Sequence, residues 1–111
     1  MNKYNELLKK INFARYRDIF RRFTIEKDNY CFSILTGSLC DSAELGTIEM
    51  AILKDGEFVD FENANEITTD NAIIYYMSFE NFEKFINELE KTKTEDLEKL
   101  FLKYKEEQED E

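Results

Sequence analysis

The sequence predicts an α+β domain: an antiparallel sheet of four to five strands, with an N-terminal helix and one or two C-terminal helices on one face. Three observations carry that expectation. Apolar residues recur at three- and four-residue steps near both ends of the chain and alternate with polar residues in the middle. An Asp55-Gly56 dipeptide, the strongest hairpin signal present, lies inside the alternating part. The 111 residues include no Pro and three Gly, so few positions interrupt regular structure. A chain of this length reads as a single domain over 1–111 with one core, and its 42% hydrophobic content predicts folding rather than disorder.

The N-terminal basic segment, 1–22, is expected to be helical over 2–20. Tyr4, Leu7, Leu8, Ile11 and Ala14 form one stripe; Tyr16, Ile19, Phe20 and Phe23 continue it out of phase, which predicts two short helices or one bent helix. Glu6–Lys10 and Asp18–Arg22 add acid-before-base pairs four residues apart. The sheet is expected over 23–77. Phe23 and Ile25 alternate with polar neighbours, Lys27-Asp28-Asn29 is turn chemistry, and Tyr30 to Thr36 is rich in β-formers, which together predict a hairpin. Residues 37–46 lie between two glycines as a loop. In 47–54, Ile48, Met50 and Ile52 share one face while Thr47, Glu49 and Ala51 share the other. A two-residue turn at Asp55-Gly56 sets Lys54 opposite Glu57 and Leu53 opposite Phe58. Residues 71–77 are apolar on both faces, which predicts a central strand. The C-terminal helices are expected over 78–107. Ser78 suits an N-cap, Glu80 the first turn, and Phe79, Phe82, Phe85, Ile86 and Leu89 form a stripe. Thr92 and Glu95 have capping-box spacing, so a second helix carrying Leu97, Leu100, Phe101 and Tyr104 is expected to start near 94. Residues 108–111 read as a frayed acidic tail.

Net charge is −10, from 25 acids against 15 bases, so the chain as a whole repels nucleic acid and anionic membranes and attracts basic surfaces. The charge is uneven. Residues 1–22 hold seven bases and two acids, net +5; the remaining eight bases and 23 acids give −15. A basic arm on an acidic body is expected to fold back on that body, because an arm that binds nucleic acid must overcome the body's repulsion. The start of the chain is charged throughout and has no apolar run of the signal-peptide kind. The longest stretch without a formal charge, 29–40, is twelve residues, too short to span a bilayer. With Cys31 and Cys40 expected as reduced thiols, one of them in the core, the chain reads as soluble and cytoplasmic.

The residue types present restrict the chemistry. With no His, the commonest general base and metal ligand is missing, and no Ser-His-Asp or Cys-His arrangement can form within the chain. Two cysteines nine residues apart make neither a redox pair nor a zinc site. The glycines fit no phosphate-binding loop. Carboxylates remain, and a carboxylate–metal hydrolase is the enzyme class they allow, but no spacing of acids on adjacent strand ends marks one. No enzyme activity, metal or cofactor is expected.

The acids concentrate in 55–70, which carries Asp55, Glu57, Asp60, Glu62, Glu66 and Asp70 with no Lys or Arg between them. As a calcium loop begun at Asp60 the stretch fails three times: Ala64, Asn65 and Asn71 stand where an oxygen ligand, Gly and Glu are needed. Acids on the C-terminal helices, by contrast, are interspersed with Lys84, Lys91, Lys99 and Lys103 and read as an ordinary solvated face. The 55–70 acids, interleaved with Phe58 and Phe61, could form a ridge roughly 15–25 Å long by strand rise. Such a ridge has the spacing to stand in for phosphates; the alternative is a solvated connection with both Phe turned into the core.

A short, His-free, Pro-free, acidic α+β chain with unpaired carboxylates over 55–70 resembles the small proteins that phages encode against host defences, the anti-CRISPR and anti-restriction inhibitors. The resemblance implies a non-enzymatic inhibitor that binds the basic groove of a nucleic-acid-handling enzyme, with those six acids at the interface. The expected partner is thus a protein with a basic surface, not a membrane and not nucleic acid itself. An immunity protein against a toxin has the same profile. A third expectation is an oligomer that sequesters a nucleotide or other small molecule, in a pocket lined by Tyr75 and Tyr76 or by Arg15 and Arg17.

Overall fold

The computed structural model describes residues 4–37, 48–59, 61 and 72–109. The order is helix α1 (Asn5–Tyr16), strands β1 (Arg21–Lys27), β2 (Tyr30–Thr36), β3 (Ile48–Lys54), β4 (Glu57–Phe58) and β5 (Ile73–Met77), then helices α2 (Phe79–Lys91) and α3 (Leu97–Glu109), with a 3-10 turn at Thr94–Asp96 between the last two. This is the expected α+β fold, an antiparallel sheet with an N-terminal helix and two C-terminal helices. β1, β2 and β3 form a meander, and both β4 and β5 pair with the outer edge of β3.

The alternation read in the sequence is the alternation of burial. Phe23 and Ile25 of β1, Tyr30, Phe32 and Ile34 of β2, Ile48, Met50 and Ile52 of β3, and Ile74 and Met77 of β5 are buried on one face. The helices lay their stripes against it: Leu8, Ile11 and Ala14 from α1, Phe82, Phe85, Ile86 and Leu89 from α2, Leu97, Leu100, Phe101 and Tyr104 from α3. Phe85 is the hub, edge-on to both Phe32 and Tyr104 with centroids 5.4 Å away in each case. Edge-to-face packing of this kind suits the ring quadrupoles. Cys31 is half-buried on the opposite face rather than in the core, and burial raises its thiol pKa.

Several local expectations change. The phase shift in the N-terminal pattern marks the end of α1, not a bend. Asp18 adopts φ 55, and the amides of Asp18 and Ile19 donate to the carbonyls of Arg15 and Ala14 at 3.3 and 2.8 Å. That is a Schellman ending with Asp at the position Gly usually takes. Tyr16, Ile19 and Phe20 therefore leave the helical stripe and are exposed. The central placement expected for 71–77 is not seen among the described residues, where β5 pairs only with β3. Its register carries one extra residue, because Met77 faces Ile48 while Ile74 faces Met50, and Tyr76 takes the bulge at φ 58. The bulge is what returns Met77 to the core side. The Thr92–Glu95 capping box is not formed. Thr92 instead donates its hydroxyl to the Glu88 carbonyl at 2.6 Å and closes α2.

Candidate functional site

The Asp55-Gly56 turn forms as its chemistry demands. Both residues have positive φ, 53 and 86, as a type I′ turn requires, and Lys54 faces Glu57 while Leu53 faces Phe58. Asp55, Glu57 and Phe58 are exposed. Beyond Phe58 the amide of Val59 still donates to Ile52 at 3.2 Å, so the register runs on. Continued, it would set Ala51 opposite residue 60, yet Ala51 faces Ile73. β4 and β5 thus pair with successive stretches of the same edge of β3. Val59, Phe61 and Ala72 are buried, with the Phe61 ring stacked on Phe101 at 6.0 Å.

Of the six expected interface acids, Asp55 and Glu57 are described; Asp60, Glu62, Glu66 and Asp70 lie outside the described residues. The expected interleaving holds in half: Phe58 is exposed and Phe61 is in the core. The regular strand meant to carry the ridge is two residues long, because Val59 and Phe61 turn inward directly after it.

The described acids do gain neighbours that the linear reading did not supply. The meander puts the β1–β2 and β3–β4 turns at the same end of the sheet, and the Asp55 amide donates to the Asn29 carbonyl at 2.9 Å. Asp28 thereby joins Asp55 and Glu57 at one tip. The Thr94 hydroxyl donates to Asp28, and the Tyr30 hydroxyl donates to Glu98 at 2.5 Å, so the start of α3 is tied to this tip as well. The bond to Glu98, then burial, then the charges of Glu98 and Asp55 push the Tyr30 hydroxyl up to about 12. Lys27 does not neutralise the tip; its ammonium donates to the carbonyls of Leu89 and Thr92 at 2.6 and 2.5 Å, capping α2. Lys54 lies over the Tyr30 ring, 5.7 Å from its centroid, and Glu57 makes no ion pair among the described residues. On the helix side the tip is bordered by an open hollow lined by Lys91, Lys93, Lys99 and Lys103, of which Lys103 pairs with Glu88 at 3.3 Å. Asp28 and Glu98 were invisible as partners because their proximity comes from strand order. The alternation of turns in a meander is the signal that would have found Asp28.

The basic segment lies against the body, the arrangement read from the sequence. Its apolar stripe packs on the body, but Lys9, Lys10, Arg17, Arg21 and Arg22 are exposed. The ion pair Lys9 makes is with Glu6 of its own helix, at 3.6 Å. Arg17 lies over Phe13 at 5.6 Å, Arg21 over Phe23 at 5.3 Å, and Arg15 over Phe79 at 4.9 Å. Tyr75 and Tyr76 contact each other on β5, centroids 6.5 Å apart.

Among the described residues no group of three or more His, Cys, Asp or Glu is placed to hold a metal ion, and no helix is long and apolar enough to cross a membrane. Comparison with protein-family models, curated proteins and solved structures finds no match to this chain.

Proposed function

We propose that this chain is a non-enzymatic inhibitor that inserts its acidic turn tip, with the acids of 60–70 that follow it in sequence, into the basic groove of a nucleic-acid-handling enzyme. The concrete case is a phage-encoded anti-CRISPR protein acting on a CRISPR effector in the host cytoplasm. The observation that carries the reading is the 2.9 Å hydrogen bond from Asp55 to Asn29, which joins two turns and groups Asp28, Asp55 and Glu57 on one rigid end of the sheet. Of the lysines at the strand ends beside the turns, Lys27 donates to α2 carbonyls and Lys54 lies over the Tyr30 ring. Carboxylates left unneutralised on a rigid scaffold speed encounter with a cationic groove and make association salt-sensitive. Phe58, 45% exposed beside Glu57, supplies an apolar anchor.

The test is co-purification and nuclease inhibition with a panel of effectors at low and physiological salt. Reversal of Glu57, Asp60, Glu62 and Glu66 together is expected to abolish inhibition while leaving the fold intact. Inhibition that survives this reversal, or that does not weaken with salt, refutes phosphate imitation.

A further inference from the structure

We propose that the corner where α1 meets β1 is a binding surface for single-stranded nucleic acid. Of the six large hydrophobic side chains that stand exposed among the described residues, four fall within eight residues here: Phe13 at 57%, Tyr16 at 75%, Ile19 at 40% and Phe20 at 50%. Beside them stand exposed Lys9, Lys10, Arg17 and Arg21. A cavity of about 270 Å³ opens among them, lined by Lys9, Lys10, Phe13, Ala14, Ile19 and Arg21, with Glu6 as the one acid on its rim. Its floor is apolar and its walls are cationic.

Cations alone would suit any anion. The rings narrow the choice. Phe13 and Tyr16 stand three residues apart on one helix and so neighbour each other on its surface, and Phe20 follows just past the helix end. A sequence of exposed rings alternating with cations matches a strand of phosphodiesters carrying flat bases, which stack on aromatics while the backbone follows the positive charge. An acidic protein surface would use the cations and leave the rings without partners of their own kind. Arg17 already lies over Phe13 at 5.6 Å, adding a second planar cation to the platform.

The overall charge of −10 does not forbid this, because the fold separates the charges. Arg21 and Lys27 are the two ends of β1, so the corner and the acidic tip stand about 20 Å apart by strand rise. That is about two Debye lengths at physiological salt, beyond which exposed charges are largely screened. The corner is also held rigidly. The Thr36 hydroxyl donates to the Ile19 carbonyl at 2.7 Å, and Gly37 packs directly against the Phe20 backbone. This surface is distinct from the acidic tip, and the inference stands without the inhibitor reading.

The experiment is fluorescence anisotropy of a labelled oligo-dT and a labelled oligo-rU with the full chain over a salt series. Binding is expected, with log K falling against log salt at a slope of about −2 to −3, as three or four single-strand phosphate contacts give. Tyr16→Ala and Phe13→Ala, at exposed positions that leave the circular dichroism spectrum unchanged, should each weaken binding about tenfold. Arg17→Ser should reduce the slope by about 0.7. A duplex of the same length, with its base faces closed, should bind more weakly. No anisotropy change at low salt overturns the proposal. So does heparin competing as well as the oligonucleotide while the ring variants change nothing, since that marks a cation patch only. Sedimentation showing concentration-dependent self-association that Tyr16→Ala abolishes also overturns it, and assigns the rings to a second copy of the chain.

Discussion

Gly37→Ala is expected to destabilise the fold by about 2–5 kcal/mol, the sum of two independent costs. Gly37 has φ +93, a conformation that side chains rarely adopt, and holding Ala there costs on the order of 1–2 kcal/mol. An added Cβ would also stand 2.7 Å from the Phe20 Cα and 2.8 Å from the Phe20 nitrogen. Those are backbone atoms, so no rotamer change relieves the overlap. The chain at 19–20 must shift, at an overpacking cost of about 1–3 kcal/mol. Urea unfolding of wild type and variant measures the difference at 25 °C; the midpoint should fall while the slope stays constant. The shift moves the segment that presents Ile19 and Phe20, so oligonucleotide affinity should drop too, although Gly37 lies outside the proposed cavity. A loss of stability below about 1 kcal/mol would mean that the β2 end and the α1–β1 connection do not pack as described.

Lys27→Met should cost about 1–3 kcal/mol, because the carbonyls of Leu89 and Thr92 lose a charged donor at the end of α2; unfolding of Lys27→Arg, which keeps the charge, should show a smaller loss. Phe85→Ala removes a ring of 0% exposure that bridges β2 and α3, and about 3–5 kcal/mol of stability should go with it, measured by the same denaturation. Tyr30 and Tyr104 both have hydroxyls pushed up to about 12, the first chiefly by its bond to Glu98 and the second chiefly by burial. Their neutral forms are favoured in the folded state. The stability they contribute is therefore complete below pH 10, the ordinary tyrosine value, and is lost as pH rises toward 12. Tyrosinate absorbance of Tyr30→Phe should lack one late-titrating group present in the wild type; a variant whose late-titrating absorbance equals that of the wild type would contradict the Tyr30–Glu98 bond.

What could be read from the sequence, and what could not, follows the range of the interactions involved. The Asp55-Gly56 turn was legible with its register, because two positive φ values need no information beyond four residues. So was the Ser78 cap, which accepts from the Asn81 amide at 3.1 Å as its position predicts. The end of α1 was not, because Asp18 does at C′ what Gly usually signals. Nor was the fate of Thr92, whose hydroxyl can either begin a helix or end one; the backbone path past Lys93 decides, and that path is set by Lys27 and Asp28 from the far hairpin. The two-sided apolar pattern of β5 predicts a strand flanked on both sides, and among the described residues β3 alone flanks it. For the candidate site, Asp55 and Glu57 were legible as exposed acids, while Asp28 and Glu98 joined them only through strand order.

The placement of the basic segment has a physical cause other than charge. A basic segment attached to an acidic body is expected to fold back on it, and α1 does lie on the body. It is placed there by burial of Leu8, Ile11 and Ala14, not by its cations. Burying such side chains is worth about 1.5–3 kcal/mol for a full aliphatic one. An exposed ion pair is worth about 0–1 kcal/mol. The apolar stripe thus fixes which way the helix faces, and its cations, on the opposite side, take whatever position remains. The meander then holds Asp28, Asp55 and Glu57 at the far end of the same strands. Net charge reports the sum of two ends with opposite preferences, and each end has to be read through its own surface.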